Sequence, residues 1–96
     1  MIIKLEHSLK HGNKTIEELE VTQPFMKIIR QLGSPVRINQ RTGEMDFNYE
    51  VCCRYLEILN ALPPSVINQL TYQDFMRCIN PLMDFFKDGG SSQMTA

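Results

Sequence analysis

The sequence lacks the features that mark membrane-spanning, secreted and nucleic-acid-binding proteins. It has no run of about eighteen apolar residues, which a transmembrane helix needs. Its N-terminus alternates apolar and charged residues, which excludes the hydrophobic core of a signal peptide. Its net charge is -1 with the two signs mixed, whereas nucleic-acid binders depend on an excess of lysine and arginine. These absences predict a cytoplasmic protein with neither membrane nor nucleic acid as its partner.

Cysteine is also scarce, and its positions suit no disulfide framework or metal site. There are 3 cysteines, of which Cys52 and Cys53 are adjacent, and this usage favours a reducing cytoplasm. Adjacent residues on a helix point about 100° apart, and there is no Cys-x-x-Cys. We therefore predict that all three cysteines, Cys52, Cys53 and Cys78, are small core residues. No second ligand pair accompanies His7 and His11, which are predicted to lie at the surface. No metal or cofactor is expected.

The sequence has no recognisable catalytic motif. Gly12-Asn13-Lys14-Thr15 ends like a phosphate-binding loop, but the upstream glycine is missing and a strand follows. We interpret it as a hairpin turn. There is no Gly-x-Ser-x-Gly, and no carboxylate cluster stands beside a histidine or a nucleophile. The sequence therefore predicts a protein without enzymatic activity.

What the sequence does have is, first, the pattern of an antiparallel hairpin over residues 2–22. Apolar residues with a period near two occupy the inward positions, namely Ile3, Leu5, Leu9, Ile16, Leu19 and Val21. Gly12 and Asn13 tolerate positive φ and predict the turn. The inward positions of the second strand change parity at Glu17 and Glu18, which indicates a bulge.

After residue 22 the apolar period becomes helical, and four helices are predicted, over about 24–32, 47–61, 64–70 and 72–87. Pro24 suits a first helical turn, and Gly33 is a natural stop. Pro63 and Pro64 end one helix and begin the next. Residues 36–47 form either a second small hairpin or an ordered loop.

Together these patterns predict one α+β domain over residues 1–88, an N-terminal antiparallel hairpin followed by three to four clustered helices. Thr71 and Asp74 resemble a capping box that starts the last helix. Pro81 removes a helical hydrogen bond, so a kink or break is expected near it. Residues 89–96 are rich in Gly and Ser, and we predict a flexible, disordered tail.

The last helix carries more large apolar residues than one stripe of a small domain needs. We predict that a partner protein contacts this helix through Tyr72, Phe75, Met76, Ile79, Met83, Phe85 and Phe86. For Met76 and Phe86, completion of the core is the stronger interpretation. Phe85 lies off the face that holds Met83 and Phe86, so partner binding and self-association both stay open for it. An open strand edge at the N-terminus also favours a homo-oligomer.

A DNA-binding module is the alternative, with Pro64–Leu70 and Tyr72–Phe86 as a helix-turn-helix. A recognition helix presents basic and amide side chains near its start. This one begins with Tyr72, Gln73 and Asp74 and offers only Arg77 before Lys87. The charge pattern therefore argues against this alternative.

The order of the motifs resembles that of a known family. The motifs are Gly-x-Lys-Thr (12–15), Glu-Leu-x-Val (18–21), Leu-Gly-Ser-Pro (32–35), Gly-Glu (43–44), Tyr-Leu-x-x-Leu (55–59), Leu-Pro-x-Ser-Val-x-x-x-Leu-x-x-x-Asp-Phe (62–75) and Phe-Phe (85–86). Over residues 3–87 the chain looks like the small tail assembly chaperones of contractile-tailed, Mu-like phages. The run over 62–75 is the most specific part of the likeness.

The resemblance implies a non-enzymatic protein of the host bacterial cytoplasm that is absent from the finished virion. Such chaperones bind the helical, aggregation-prone tape-measure protein, keep it soluble and help recruit tail-tube subunits around it. Many also exist in a longer form, made by a programmed frameshift near the end of the short reading frame. Asp84-Phe85-Phe86 could be encoded by a slippery run of U, which is our hypothesis for the site of such a frameshift.

Overall fold

The computed structural model describes the backbone of residues 1–95 and the side chains of residues 1–86 other than Ile38 and Met45. The predicted α+β architecture is confirmed, with an N-terminal hairpin followed by helices. In chain order the elements are β1 (Ile2–His11), β2 (Lys14–Glu20), α1 (Met26–Leu32), β3 (Val36–Ile38), β4 (Met45–Phe47), α2 (Tyr49–Asn60), α3 (Pro64–Ile67) and α4 (Tyr72–Thr95).

The hairpin closes through a two-residue turn at Gly12 and Asn13, as predicted. His11 pairs with Lys14 across the turn. Gly12 has a φ of 63°, which lies in the left-handed region that favours glycine. The inward residues Leu9 and Leu19 are fully or almost fully buried, so the hairpin covers the helices with one face.

The predicted bulge is present, but its additional residues belong to β1. The register changes between the pairs Lys4–Glu18 and Leu9–Ile16. The segment 5–8 of β1 therefore faces Glu17 alone on β2. Such an insertion frees backbone N–H groups from the ladder and bends the strand, and the freed groups need other partners.

Asp74 supplies those partners. Its two carboxylate oxygens accept the backbone N–H groups of Glu6 and His7, each at 3.0 Å. Asp74 N–H donates to Thr71 Oγ1 at 3.2 Å, so half of the predicted capping box is present. The other half is replaced, because the carboxylate reaches β1 instead of returning to Thr71. One acidic side chain thus ties the start of α4 to the bulge of β1.

Two amide side chains hold the outer edges of the hairpin. Gln69 accepts from Lys10 N–H and donates to the Lys10 carbonyl, both at 2.8 Å. Asn60 accepts from Glu20 N–H at 2.7 Å and donates to the Glu20 carbonyl at 3.1 Å. Each amide therefore pairs as a neighbouring strand would. These contacts occupy part of the strand edge that was predicted to be open.

Residues 36–47 form the second hairpin rather than an ordered loop. Val36 pairs with Phe47, and the strands are antiparallel. Asn39 holds the connection, because its side chain accepts from Arg41 N–H at 2.9 Å and its backbone bonds to Glu44 and Gly43.

The central helix α2 begins and ends with local caps. The Asn48 side chain accepts from Val51 N–H at 3.2 Å, and Ala61 ends the helix in the left-handed conformation with a φ of 52°. The Tyr55 hydroxyl donates to the Gly33 carbonyl at 2.6 Å, which joins α2 to the end of α1. The core around these elements is apolar, and its buried members are Leu9, Leu19, Val21, Cys52, Tyr55, Leu56, Val66, Ile67, Phe75, Cys78, Ile79, Leu82 and Met83.

The two last helices differ in length from the prediction. The helix α3 ends at Ile67, and residues 68–70 continue as a turn with hydrogen bonds from Gln69 to Val66 and from Leu70 to Ile67. The helix α4 continues through Pro81 without a break. The predicted tail, residues 89–96, falls at the end of α4: the backbone is helical to Thr95, whereas its side chains and residue 96 lie outside the described part.

Candidate functional site

A surface groove lies where the first turns of α2 and α4 meet the turn after α3. Its volume is about 360 Å³, and its lining is mainly apolar. The lining residues, called the groove from here on, are Tyr49, Cys53, Ile67, Asn68, Leu70, Tyr72 and Phe75. A concave apolar surface with a few polar groups is the usual form of a binding site.

Two exposed tyrosines form the walls of the groove, and each is the first residue of its helix. Tyr49 follows the Asn48 cap and is 55% exposed, and Tyr72 begins α4 and is 63% exposed. A residue at this position leaves the core stripe, so its side chain extends along the surface. The rings present an apolar body and a polar tip, as aromatic residues at interfaces do.

The floor of the groove is more rigid than its walls. Phe75 is 7% exposed and belongs to the core. The Tyr49 ring contacts Phe75 edge-on, with centroids 5.7 Å apart and planes at 65°. The side chain of Tyr72, which is close enough to share a hydrogen bond with Tyr49, raises the pKa of the Tyr49 hydroxyl. The raised pKa favours the neutral form of the Tyr49 hydroxyl.

An acidic depression of about 330 Å³ adjoins the groove along α2, and the two share Tyr49, Cys53 and Asn68. Glu50 and Glu57 lie in this depression with Arg54, which pairs with Glu50 at 3.1 Å. Burial and then the charge of Glu50 raise the pKa of Glu57. The groove therefore has an apolar part and an adjoining part with a net negative charge.

Of the seven side chains predicted to contact a partner, Tyr72 is the exposed one, at 63%, and it lies on the groove wall. Phe75, Ile79 and Met83 belong to the buried core, and of these three Phe75 also lines the groove. Contact of these side chains with a partner stays a prediction. These three side chains are buried because α4 packs against β1 as well as against α2, which widens its buried stripe.

The other three predicted residues are partly buried. Met76, Phe85 and Phe86 pack against the core. The Phe86 ring contacts the Tyr55 ring edge-on, with centroids 5.8 Å apart. For Met76 and Phe86 this is the core role that the sequence favoured, and Phe85 shares it in part. The structure therefore brings Tyr72 and Phe75 into one site and leaves the remaining five outside it.

Sequence reasoning missed Tyr49, Cys53 and Leu70 as groove residues. Tyr49 and Cys53 lie four positions apart on α2, outside its core stripe, and this spacing puts them on one helix face. The signal available in the sequence was this pair of residues, which lies outside the core-facing apolar stripe of α2. The role of Leu70 depends on where α3 ends, and local patterns do not define such boundaries well.

The cysteines and histidines lie where they were predicted, with one exception. Burial raises the pKa of Cys52 and of Cys78 to about 11, so both are inert core thiols. Cys53 is half-buried in the groove, and burial raises its pKa as well. His7 and His11 are exposed. Among the described residues there is no group of three or more metal-ligating side chains.

Comparisons with protein families, with characterised proteins and with solved structures find no match to this chain. Within the described residues, no helix is both long enough and apolar enough to cross a bilayer. The groove itself is therefore the observation from which function is inferred.

Proposed function

We propose that the protein is a phage or prophage tail assembly chaperone that binds the tape-measure protein without catalysis. One observation carries the proposal: an apolar groove with two exposed tyrosines on a small folded domain. Grooves of this kind accept the apolar face of an amphipathic helix. The likeness of residues 3–87 to tail assembly chaperones supports the tape-measure protein as the source of that helix.

The chemistry of the groove suits a helical partner that would otherwise aggregate. Leu70, Phe75 and Ile67 supply apolar contact area at its floor, and burial of such area is the main favourable term in association. A client helix with apolar anchors and a basic flank would match both the groove and the acidic depression beside it.

In this proposal the chaperone covers the apolar faces of the tape-measure protein in the host bacterial cytoplasm, in several copies along the client. Tail-tube subunits then replace it, and it is absent from the mature virion. A longer frameshifted form would share the groove, because the residues that line it lie between Tyr49 and Phe75. Both forms would therefore bind the client through the same site.

The proposal is tested by co-expression with the tape-measure protein of the same gene cluster, followed by a solubility assay and co-purification. The variant Tyr49→Ala with Tyr72→Ala removes both walls of the groove. Truncation of aromatic anchors typically weakens binding by about 30-fold or more, so we expect most of the client to become insoluble.

The matched control is Ile58→Ala, which removes an exposed apolar side chain on α2 away from the groove. It should leave the client soluble. If the tape-measure protein stays insoluble with the wild-type chain and with its longer form, the proposal is contradicted. If both variants behave as the wild type does, the groove is not the site.

The DNA-binding alternative has less support from the same residues. The helix α3 has 4 residues, and Asp74 at the start of α4 is buried. Arg77 lies 3.5 Å from Asp74 and 3.7 Å from Glu6, so its charge is already engaged. Heparin binding with a steep salt dependence would favour the alternative.

A further inference from the structure

The start of α1 presents two adjacent apolar side chains that its own chain leaves uncovered. Phe25 is 79% exposed and Met26 is 63% exposed. These two residues are called the α1 tip from here on. Phe25 is the cap position of α1, and its side chain makes no capping hydrogen bond. Two neighbouring, exposed apolar side chains of this size are a candidate contact surface.

The α1 tip continues into a basic face. Met26, Lys27, Arg30 and Gln31 line one shallow surface depression. The first turn of α1 has no acidic residue, and Arg30 lies in its last turn. Among the described residues, the ion pairs involve Arg54 and Arg77 rather than Lys27 or Arg30. This surface therefore combines an apolar end with unpaired positive charge.

The groove and the acidic depression are complementary to the α1 tip and its basic face. The apolar part lies between Tyr49 and Tyr72, and the acidic part, with Glu50 and Glu57, adjoins it along α2. The large exposure of Phe25 shows that the α1 tip does not enter the groove of its own chain. The apolar α1 tip therefore matches the apolar groove, and the basic face beside the tip matches the acidic depression beside the groove.

We infer that the α1 tip of one copy docks in the groove of a second copy. Phe25 and Met26 lie between the tyrosine walls, and Lys27 and Arg30 face Glu50 and Glu57. The two surfaces are different parts of the chain, so one such contact uses the tip of one copy and the groove of the other. Two copies can exchange both contacts in a two-fold dimer, or successive copies can add head-to-tail into a ring or an open chain.

This docking stands on charge and shape alone and needs no client. Its role does rest on the proposed function: a second copy covers the groove until a tape-measure helix displaces it. A free chaperone would then expose little apolar surface before its client is made.

The test uses sedimentation velocity of the full chain over a concentration series, with two variants. The tip variant is Phe25→Asp with Met26→Asp, and acidic residues at the start of a helix favour α1. The groove variant is Tyr49→Ala with Tyr72→Ala. The wild type should self-associate as concentration rises, and each variant should weaken this by about 30-fold or more. The control Ile58→Ala should associate as the wild type does, and circular dichroism checks that every variant folds.

Mixing the two variants gives the sharper result. The tip variant keeps a groove, and the groove variant keeps a tip, so together they have one intact contact. We expect a heterodimer of one copy of each, with no larger species. An interface that pairs like surfaces, tip with tip or groove with groove, would give no such complementation.

Three results overturn the inference: a wild type that stays monomeric at all concentrations, self-association that neither variant weakens, or a mixture without heterodimer. A monomeric wild type that still keeps the tape-measure protein soluble overturns only this inference. A self-associating chain that leaves the tape-measure protein insoluble overturns only the proposed function.

Discussion

At the residue scale, Asp74 joins parts of the chain that are far apart in sequence. Its carboxylate accepts from Glu6 and His7, which precede it by 68 and 67 positions. Burial raises the pKa of Asp74, but the two backbone N–H groups and the charges of Arg77 and His7 outweigh it, so the pKa lies below its usual value. The folded state therefore favours the ionised carboxylate.

This pKa fixes the sign of a pH dependence. The folded chain binds the Asp74 proton less readily than the unfolded chain, so the stabilisation is present above the ordinary aspartate pKa of about 4. It is lost as the pH falls below that value. Asp74→Asn should lower the free energy of unfolding at neutral pH by about 1–3 kcal/mol, because an amide N–H group then faces a backbone donor.

Urea unfolding at pH 7 and at pH 3 measures this effect. The wild type should lose more stability between the two pH values than Asp74→Asn does. Glu17→Gln, an exposed carboxylate on β2, is the control and should keep the pH dependence of the wild type. An identical loss in wild type and Asp74→Asn would show that other carboxylates cause the acid sensitivity.

At the scale of elements, the hairpin depends on side chains that imitate a third and a fourth strand. Gln69 and Asn60 each pair with both the N–H and the carbonyl of one strand residue. Gln69→Ala should lower the free energy of unfolding by about 1–2 kcal/mol, because two hydrogen bonds are lost at an exposed edge.

Hydrogen exchange followed by mass spectrometry checks the location of this effect. In Gln69→Ala, the amide of Lys10 should exchange faster, while that of Glu20 should keep its rate. The variant Asn60→Ala should give the reverse pattern. If both variants accelerate exchange equally over the whole hairpin, the clamps do not act separately on the two edges.

The elements also show which parts of the fold a sequence can predict. The hairpin turn at Gly12 depends on neighbours in the chain, and it was predicted. The partners of the Asp74 carboxylate were not predicted. The capping pattern pairs this carboxylate with the local backbone N–H donor of Thr71, whereas the N–H groups of Glu6 and His7 are its donors in the fold. Similarly, periodicity predicted an apolar stripe on α4 but could not show that Ile79 and Met83 are both buried in the core.

The candidate site was harder to predict than the fold. Tyr72 was predicted as a contact residue, and it is a groove wall. Tyr49 lies 23 positions earlier, and the two meet only because α2 and α4 begin at the same end of the domain. The spacing of residues along the sequence does not predict which helix ends lie next to each other in the fold.

At the scale of the whole molecule, the groove has two proposed occupants that exclude each other. A tape-measure helix and the α1 tip of a second copy would contact the same tyrosines. Addition of a client peptide should therefore dissolve the self-assembly in proportion to its occupancy of the groove.

Sedimentation of the wild type with increasing amounts of a tape-measure peptide measures this competition. We expect the mean mass of the assembly to fall towards one copy plus peptide. The groove variant, which cannot bind either occupant, should show no change. A peptide that binds while the assembly keeps its size would show that the two contacts use separate surfaces.

The tyrosine walls are held by helix caps, Asn48 before Tyr49 and Thr71 before Tyr72, and their rings lie outside the buried core. Under the proposed function, substitution at these two positions changes recognition at a smaller cost in folding free energy than substitution in the core, because the edge-on contact of Tyr49 with Phe75 is the main interaction lost. In evolutionary terms, client specificity would then diverge at positions 49 and 72 with few compensating mutations elsewhere. A lineage of such domains could follow a changing partner by exchanging two side chains.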